Sequence, residues 1–163
     1  WDQIGVQPDL SAWSKAIANG YALSAVLGND RFRDAGAQLY ATGSFWCGAT
    51  SMAAALATID VLEVQNGPEH MRQMGQRLRD GIAEQARRYN LGVRQSGPPQ
   101  MPTMLVEDDA GYARGSRFVQ EALSRCVYMH PKHNMFLSLA HTAADIDFAL
   151  SVTDEAFKIV ARL

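Results

Sequence analysis

One lysine is the residue of this sequence whose surroundings point most directly to chemistry. Lys15 lies in the small and apolar stretch DLSAWSKAIANGYALSAVLG, far along the chain from the two other lysines, Lys132 and Lys158. An amine that is shielded from water loses its proton more readily, and the neutral amine can attack a carbonyl carbon to form a Schiff base. The simpler alternative is a surface lysine at a strand end, with its charge in solvent.

A loop rich in hydroxyl and aromatic residues is the second candidate. It runs from Thr42 to Gly48, TGSFWCG, directly before an alanine-rich stretch. The free N–H groups at a helix N-terminus, together with glycine and hydroxyl groups, suit a phosphate, although most such loops only cap their helix. Combined with Lys15, the loop predicts one site for an aldehyde and one for a phosphate, as pyridoxal phosphate requires.

The elements around these residues follow from local patterns. LSAWS and YALSAVLG predict two strands joined by a turn at Asn19-Gly20, which would place Lys15 at the strand end where α/β folds bind ligands. NDRFRDAG predicts a short helix, and QLYATGSFWCGATS predicts a strand end followed by a loop. Helical spacing of apolar residues predicts a helix from Ala49 to about Gln65.

The second half of the chain has a different pattern. Pro68 is expected in the first turn of a helix that runs to about Asn90, and TMLVE predicts a strand. A helix is predicted at 112–125, then two short strands, VYMHP and NMFLSL, then a last helix that opens at Thr142 with Asp145 in a capping-box position. The fold class is therefore α/β, with the end of an α/β layer first and a compact α+β unit after it.

Composition narrows the classes of partner. The 163 residues carry a net charge of −2, and no basic cluster or long apolar run indicates a nucleic acid or a membrane as partner. The two cysteines, Cys47 and Cys126, have neither metal-ligand nor disulfide spacing, so we expect no metal and a cytoplasmic location.

Three segments carry a resemblance to a known family. GVQPDLSAWSKAIANGYALSAVLG resembles the active-lysine segment of class III (subgroup II) pyridoxal-phosphate aminotransferases, through Gly5, Pro8-Asp9-Leu10, Lys15 and the small-residue strand that follows. GSFWCGATSMAAALATIDVL is similar to the family's hydroxyl-aromatic loop and helix. The tail HPKHNMFLSLAHTAADIDFAL resembles the glutamate-1-semialdehyde aminomutase-like branch.

The resemblance implies the C-terminal part of a fold-type I PLP-dependent transferase. Residues 1–66 would be the end of the large PLP-binding domain, with the Schiff-base lysine, and residues 67–163 the small C-terminal α+β domain. The family's groups for the pyridine ring precede its lysine segment, so we expect a longer parent enzyme.

The resemblance also assigns roles to individual residues of the cofactor site. The resemblance implies that Lys15 is catalytic and forms a Schiff base with pyridoxal 5'-phosphate. Ser44 matches the threonine that contacts the cofactor phosphate from the neighbouring subunit, with Thr42 as a second candidate, and Phe45 is also expected at the cofactor. Ala49 stands where the family commonly has proline.

Three further residues are candidates for substrate binding. Trp46 is expected either to wall the substrate pocket or to pack in a core or subunit interface. His133 and Asn134 occupy the region where many class III enzymes have an arginine for the substrate carboxylate; the alternative is that they are polar residues beside a strand.

The expected activity is transfer of an amino group from an amino donor to a keto acid or aldehyde, in a homodimer with the active site at the subunit interface. One alternative is an aminomutase, which moves the amino group within one molecule. A second is a non-catalytic fragment that serves as an interaction or dimerisation piece. A phosphate- or nucleotide-binding module is a weaker alternative, because the sequence contains neither a Walker motif nor GxGxxG.

Overall fold

The computed structural model describes residues 4–46 and 48–163, so Cys47 and the first three residues lie outside it. These residues divide into two compact units, the first ending at Gln65 and the second comprising Asn66–Leu163. The assignment of the two units to the end of a cofactor-binding domain and to a small C-terminal domain stays a prediction.

The first unit contains two strands and two α-helices. In chain order these are β1 (Leu10–Trp13), β2 (Ala25–Gly28), α1 (Arg33–Ala37) and α2 (Ala49–Val64), with 3-10 turns at Lys15–Ala18 and Asp30–Phe32. The strands pair antiparallel, with Leu10 opposite Gly28 and Trp13 opposite Ala25. Both strands are shorter than predicted because the chain leaves the ladder for a 3-10 turn at Lys15 and re-enters it at Ala25.

The strand end expected before α2 is absent from the described part of residues 38–48, so that prediction was wrong. Two backbone N–H groups in this segment form hydrogen bonds within turns and none with a neighbouring strand. Trp46 donates to the carbonyl of Gly43 at 3.1 Å, and Gly48 donates to the carbonyl of Phe45 at 3.2 Å. The helix that follows at Ala49 begins where the sequence predicted it.

The second unit holds three long helices and one hairpin. They are α3 (Gly67–Arg88), β3 (Val93–Ser96), β4 (Thr103–Val106), α4 (Ala113–Leu123) and α5 (Ala143–Val160). Helix α5 packs against both α3 and α4. The rings of Phe118 and Phe157, both fully buried, lie 4.7 Å apart between α4 and α5.

Helix α5 begins as its sequence predicts. The hydroxyl of Thr142 accepts from the backbone N–H of Asp145 at 3.3 Å, and the Asp145 carboxylate accepts from the backbone N–H of Thr142 at 2.8 Å. This reciprocal pair is a capping box, which satisfies two donors that the first turn of a helix leaves free.

The two strands predicted from VYMHP and NMFLSL do not form among the described residues. The N–H groups of Met135 and Leu137 do donate to Pro102 and Gln100, at 2.8 and 3.0 Å, in the alternating pattern of a ladder. Pro102 has no N–H to return, so reciprocal pairing is blocked at this point. Strand β3, which pairs with β4 from Val93 opposite Val106, was not predicted.

Within the described ranges, no helix has the length and apolar character needed to cross a membrane. The same ranges hold no group of three or more His, Cys, Asp or Glu side chains that could bind a metal ion.

Candidate active site

Lys15 begins the 3-10 turn that follows β1. Its φ of +55° lies in the left-handed region, which residues other than glycine seldom adopt. The preceding residue, Ser14, is fully extended, with φ −161° and ψ −157°. The backbone therefore turns sharply at Lys15, and strained conformations of this kind occur at functional sites as well as at turns and helix ends.

The Lys15 side chain is exposed in the described unit. Among residues 4–46 and 48–163 its amine takes part in no hydrogen bond or ion pair of the structure. The shielding that the sequence hypothesis requires is therefore not supplied by the described part of the first unit.

The turn that carries Lys15 is anchored from both sides. Its last residue, Ala18, is fully buried, and the turn packs against α2. Asn19 and Gly20 both have positive φ, at +45° and +105°, as the Asn-Gly sequence predicts for a turn. The hydroxyl of Ser14 donates to the carbonyl of Leu23 at 3.4 Å, which closes the loop between the two strands.

The hydroxyl-aromatic loop precedes α2. Thr42, Ser44, Phe45 and Trp46 are all exposed. The residue that caps α2, Gly48, has no side chain with which to satisfy the first N–H groups of the helix. Free N–H groups, the helix dipole and nearby hydroxyls are together the donor set that a phosphate requires.

Helix α2 connects these two parts of the first unit. The Lys15 turn packs on α2, and the hydroxyl-aromatic loop leads into its first turn. The Lys15 turn and the hydroxyl-aromatic loop are thus both neighbours of one helix within one unit. An amine can bond an aldehyde, and hydroxyls beside a helix N-terminus can hold a phosphate.

His133 and Asn134 lie in the second unit. His133 is exposed, and its Nδ1 lies 2.9 Å from the carbonyl oxygen of Asn134, while its ring centre is 5.7 Å from that of His130 and 6.4 Å from that of Phe136. Asn134 is half-buried. Their role toward a substrate stays a prediction, as does the role of Trp46.

The sequence did not predict two contacts near these candidate residues. The Asp9 carboxylate accepts hydrogen bonds from Asn29 and Arg31 across the β1–β2 hairpin. In the second unit, the Lys132 ammonium lies 5.4 Å from the centre of the Tyr112 ring, a cation–π contact. Both contacts join residues that are distant in the sequence, so no sequence pattern predicts them.

The family assignment rests on a match over nearly the whole chain. Residues 1–157 match the model of the family described as "Aminotransferase class-III". The chain belongs to the class-III aminotransferase family. This confirms the resemblance at the level of the family.

Two curated relatives are aminotransferases by name. The chain is 43% identical over 162 residues to the aminopentol aminotransferase of Sphingopyxis macrogoltabida, covering 99% of this chain and 38% of the relative. It is 26% identical to the 3-aminobutyryl-CoA aminotransferase of Cloacimonas acidaminovorans, covering 98% of this chain and 40% of the relative. The chain thus spans about two fifths of the length of the curated relatives it matches.

Solved structures give the same family and the fold. The PLP internal aldimine form of the Sphingopyxis sp. MTA144 FumI protein matches with a TM-score of 0.94 and 42% identity, over 99% of this chain and 39% of that one. An omega-transaminase from Sphaerobacter thermophilus matches with a TM-score of 0.86 at 20% identity, over 99% of this chain and 41% of that one, which shows the fold alone. The predicted α/β fold class, part of a fold-type I PLP-dependent transferase, is confirmed.

Proposed function

We propose that this chain is the C-terminal part of a pyridoxal-phosphate-dependent aminotransferase in which Lys15 carries the cofactor. The observation that carries the proposal is the left-handed turn at Lys15, packed on the helix that the hydroxyl-aromatic loop precedes. Membership of the class-III family and 42% identity to a protein solved in its PLP form support it.

The proposal assigns each candidate residue to one part of the cofactor. The Lys15 amine would hold the cofactor through the aldehyde carbon of pyridoxal phosphate, with loss of one water, as expected from the sequence. Ser44, with Thr42 as second candidate, and the first N–H groups of α2 would hold the phosphate of the cofactor that is bound on the neighbouring subunit's lysine, and Phe45 would border it. When bound, the cofactor supplies an electron sink that stabilises negative charge on the substrate carbon.

Lys15 has two tasks in this proposal. Its amine would hold the cofactor until an amino donor replaces it. The freed amine would then take the proton from the substrate carbon that bears the amino group and later return a proton, acting as general base and general acid. Trp46, His133 and Asn134 would contact the substrate.

We propose transfer between two molecules rather than within one. Both curated relatives are named aminotransferases, which supports a separate amino donor and keto acceptor. At 43% identity, the aminopentol named for one relative is the first amino donor to test. The aminomutase alternative, and the placement in the glutamate-1-semialdehyde aminomutase-like branch, rest on the tail segment and stay predictions.

A homodimer and a cytoplasmic location complete the proposal. Support for the homodimer comes from large apolar side chains of the first unit that are exposed in the described residues, including Leu56 at 64%, Val64 at 86% and Phe45 at 88%. In the whole protein the rest of the longer parent enzyme would cover part of this surface, and we propose that a second copy of the subunit covers another part. Sedimentation of the whole protein at micromolar concentration tests this, and a monomer would contradict it.

Cofactor trapping tests the central assignment. Full-length protein is mixed with pyridoxal phosphate, reduced with borohydride and digested with trypsin, which does not cleave at a modified lysine. We expect a pyridoxyl peptide that continues through Lys15 to Arg31, and no such peptide from Lys15→Ala, which should also lose transamination. Lys158→Ala, which alters an exposed lysine on α5, is the matched control. A fully active Lys15→Ala protein would overturn the proposal.

A further inference from the structure

Asp9 joins the two ends of the β1–β2 hairpin. It lies immediately before β1, and Asn29 lies immediately after β2. The carbonyl of Asp9 accepts from the backbone N–H of Asn29 at 3.1 Å, and its Oδ1 accepts from Nδ2 of Asn29 at 2.8 Å. The same carboxylate oxygen forms an ion pair with Nη2 of Arg31. The three residues form what we call the Asp9 clasp.

Asn29 and Arg31 also make contacts that do not involve Asp9. Oδ1 of Asn29 accepts from the backbone N–H of Arg31 at 3.1 Å, so the Asn29 amide is held at both of its ends. The Arg31 guanidinium also lies 5.7 Å from the centre of the Phe32 ring. Each member of the clasp therefore has a second contact that fixes its direction.

The position of the clasp determines what it can do. It lies at the end of the hairpin where Leu10 pairs with Gly28, and Lys15 follows the opposite end, where Trp13 pairs with Ala25. A slip of one residue in the pairing would move every side chain of β1 to the other face of the ladder. The direction in which the chain leaves β1 toward Lys15 would change with it.

We propose that Asp9 is a positioning residue for Lys15: through Asn29 and Arg31 it fixes the register of the β1–β2 hairpin and so the direction from which the Lys15 amine is presented. This inference rests on the proposed function of Lys15. It gives the aspartate of the Pro8-Asp9-Leu10 motif a task that is separate from any contact with the cofactor.

The clasp contributes to geometry more than to overall stability. The side chains of Asp9 and Arg31 are 56% and 71% exposed, and exposed ion pairs stabilise a fold only weakly. Removal of the carboxylate should leave the protein folded while more than one hairpin register becomes populated. We expect this to weaken capture of the cofactor by about fivefold, as for the loss of one exposed ion pair.

The experiment compares three variants of the full-length protein. Asp9→Ala removes the side-chain contacts of the clasp and keeps only the backbone bond to Asn29, and Asp9→Asn keeps an acceptor oxygen for Asn29 and Arg31. Arg33→Ala is the matched control, because it breaks an ion pair with Asp30 at 2.8 Å that is also exposed, more so than the Asp9–Arg31 pair, and does not reach β1. All proteins are compared well below their unfolding temperatures.

Two readouts are taken. The first is the concentration of pyridoxal phosphate that half-saturates the visible absorbance, together with the fraction fixed on Lys15 by borohydride. The second needs no cofactor: it is the rate at which trace acetic anhydride acylates Lys15, followed against pH by mass spectrometry. We expect Asp9→Ala to need about fivefold more cofactor and to change the acylation profile, and Asp9→Asn and Arg33→Ala to stay within about twofold of the parent.

Either of two results would overturn the inference. In the first, Asp9→Ala equals Arg33→Ala in both readouts. In the second, Asp9→Ala and Asp9→Asn lower the unfolding temperature by the same amount, and they weaken cofactor capture and change the acylation of Lys15 by the same amount. That is how a residue with only a structural role would behave. Failure of the proposed function is a separate outcome, since the parent protein itself would then capture no cofactor on Lys15 while the acylation profiles would still report on the clasp.

Discussion

Thr153 on α5 donates its hydroxyl hydrogen to the side-chain oxygen of Gln85 on α3 at 2.7 Å, and both residues are buried. The amide of Gln85 in turn donates to the carbonyl of Leu150 at 2.7 Å. This polar bridge lies between the two helices that form much of the second unit. The Thr153 hydroxyl also lies 3.1 Å from the carbonyl of Leu150, and among the described residues Thr153 alone donates to the Gln85 side-chain oxygen.

Thr153→Val should therefore destabilise the protein although it keeps the shape of the side chain. The Gln85 oxygen would lose its donor while buried, which costs about 2 kcal/mol in the free energy of unfolding. Urea unfolding checks this. Ser151→Ala is the control, since its exposed hydroxyl bonds only the carbonyl of Phe148, and it should change stability by less than about 0.5 kcal/mol. Equal effects from the two variants would contradict the prediction.

Gly75→Ala should destabilise the protein more than Gly81→Ala does. Both glycines lie in α3, where alanine is intrinsically favoured by about 1 kcal/mol. A Cβ at position 75 would overlap the backbone carbonyl of Pro99, whereas a Cβ at position 81 would meet the side chain of Leu150, which can rotate away.

The expected loss for Gly75→Ala is about 3 kcal/mol, and for Gly81→Ala about 1 kcal/mol. Thermal unfolding followed by circular dichroism ranks the two variants directly. The reverse order would mean that the approach of α3 to the Pro99 turn is looser than the structure has it.

Acid should remove a defined part of the stability of the second unit. The side chain of Arg72, with help from Gln73, lowers the pKa of Glu69 to about 2 through hydrogen bonds to its carboxylate. Because the folded pKa lies below the unfolded value of about 4.3, this contribution is fully present above that value and disappears as the pH falls toward 2.

Glu69→Gln should therefore lose less stability than the parent between about pH 4.5 and 2. Arg72→Gln should flatten the same part of the curve, because it removes the partner instead of the carboxylate. The urea midpoint, measured at four pH values across this range, gives the change of stability with pH for each of the two variants and for the parent. Curves parallel to that of the parent would show that the pair makes no difference to acid unfolding.

Helices were predictable from the sequence because their signals are local. The capping box of Thr142 and Asp145, the proline at position 68 and the apolar spacing of α5 all lie within a few residues of what they determine. The bounds of α2, α4 and α5 accordingly agree with the prediction to within about two residues.

Strand pairing was less predictable because it depends on distant residues. The sequence of β3, VRQS, has a single apolar residue and gives no strand signal, but it pairs with the apolar β4. NMFLSL has a clear strand pattern, but its neighbour contains Pro102, which cannot return a hydrogen bond.

The candidate site also has features that depend on local sequence and features that depend on strand pairing. The chemistry proposed for Lys15 and for the loop from Thr42 rests on residue types and on a resemblance to a family motif, both of which the sequence contains. The Asp9 clasp requires the register of the hairpin, because Asp9 and Arg31 are 22 residues apart and become neighbours only when Leu10 is opposite Gly28.

Residues 66–163 should fold without the rest of the chain. All members of the main buried cluster lie between Leu78 and Val160, whereas the buried apolar residues of the described first unit are Ala18 and Ala55. We expect a single cooperative thermal transition from this segment expressed alone, and none from residues 91–163, which lack α3 and its contacts with α5. A non-cooperative transition from residues 66–163 would place part of their stability in the first unit.

The two hydroxyls of the loop before α2 should differ in their effect on the cofactor. In the proposed function Ser44 holds the cofactor phosphate, so Ser44→Ala should weaken binding of pyridoxal phosphate to full-length protein by about tenfold, as for the loss of one hydrogen bond to a charged group. Thr42→Ala should weaken it by less than about threefold, and Ser24→Ala, an exposed serine elsewhere in the first unit, should leave it unchanged.

Pyridoxal, which lacks the phosphate, separates a phosphate contact from a general disturbance of the site. If Ser44 holds the phosphate, Ser44→Ala should bind pyridoxal as well as the parent does, because the lost hydroxyl has no partner on that ligand. Fluorescence titration with the two ligands gives both affinities. An equal loss for both would mean that Ser44 shapes the loop without touching the phosphate, and a larger loss in Thr42→Ala would move the contact to that residue.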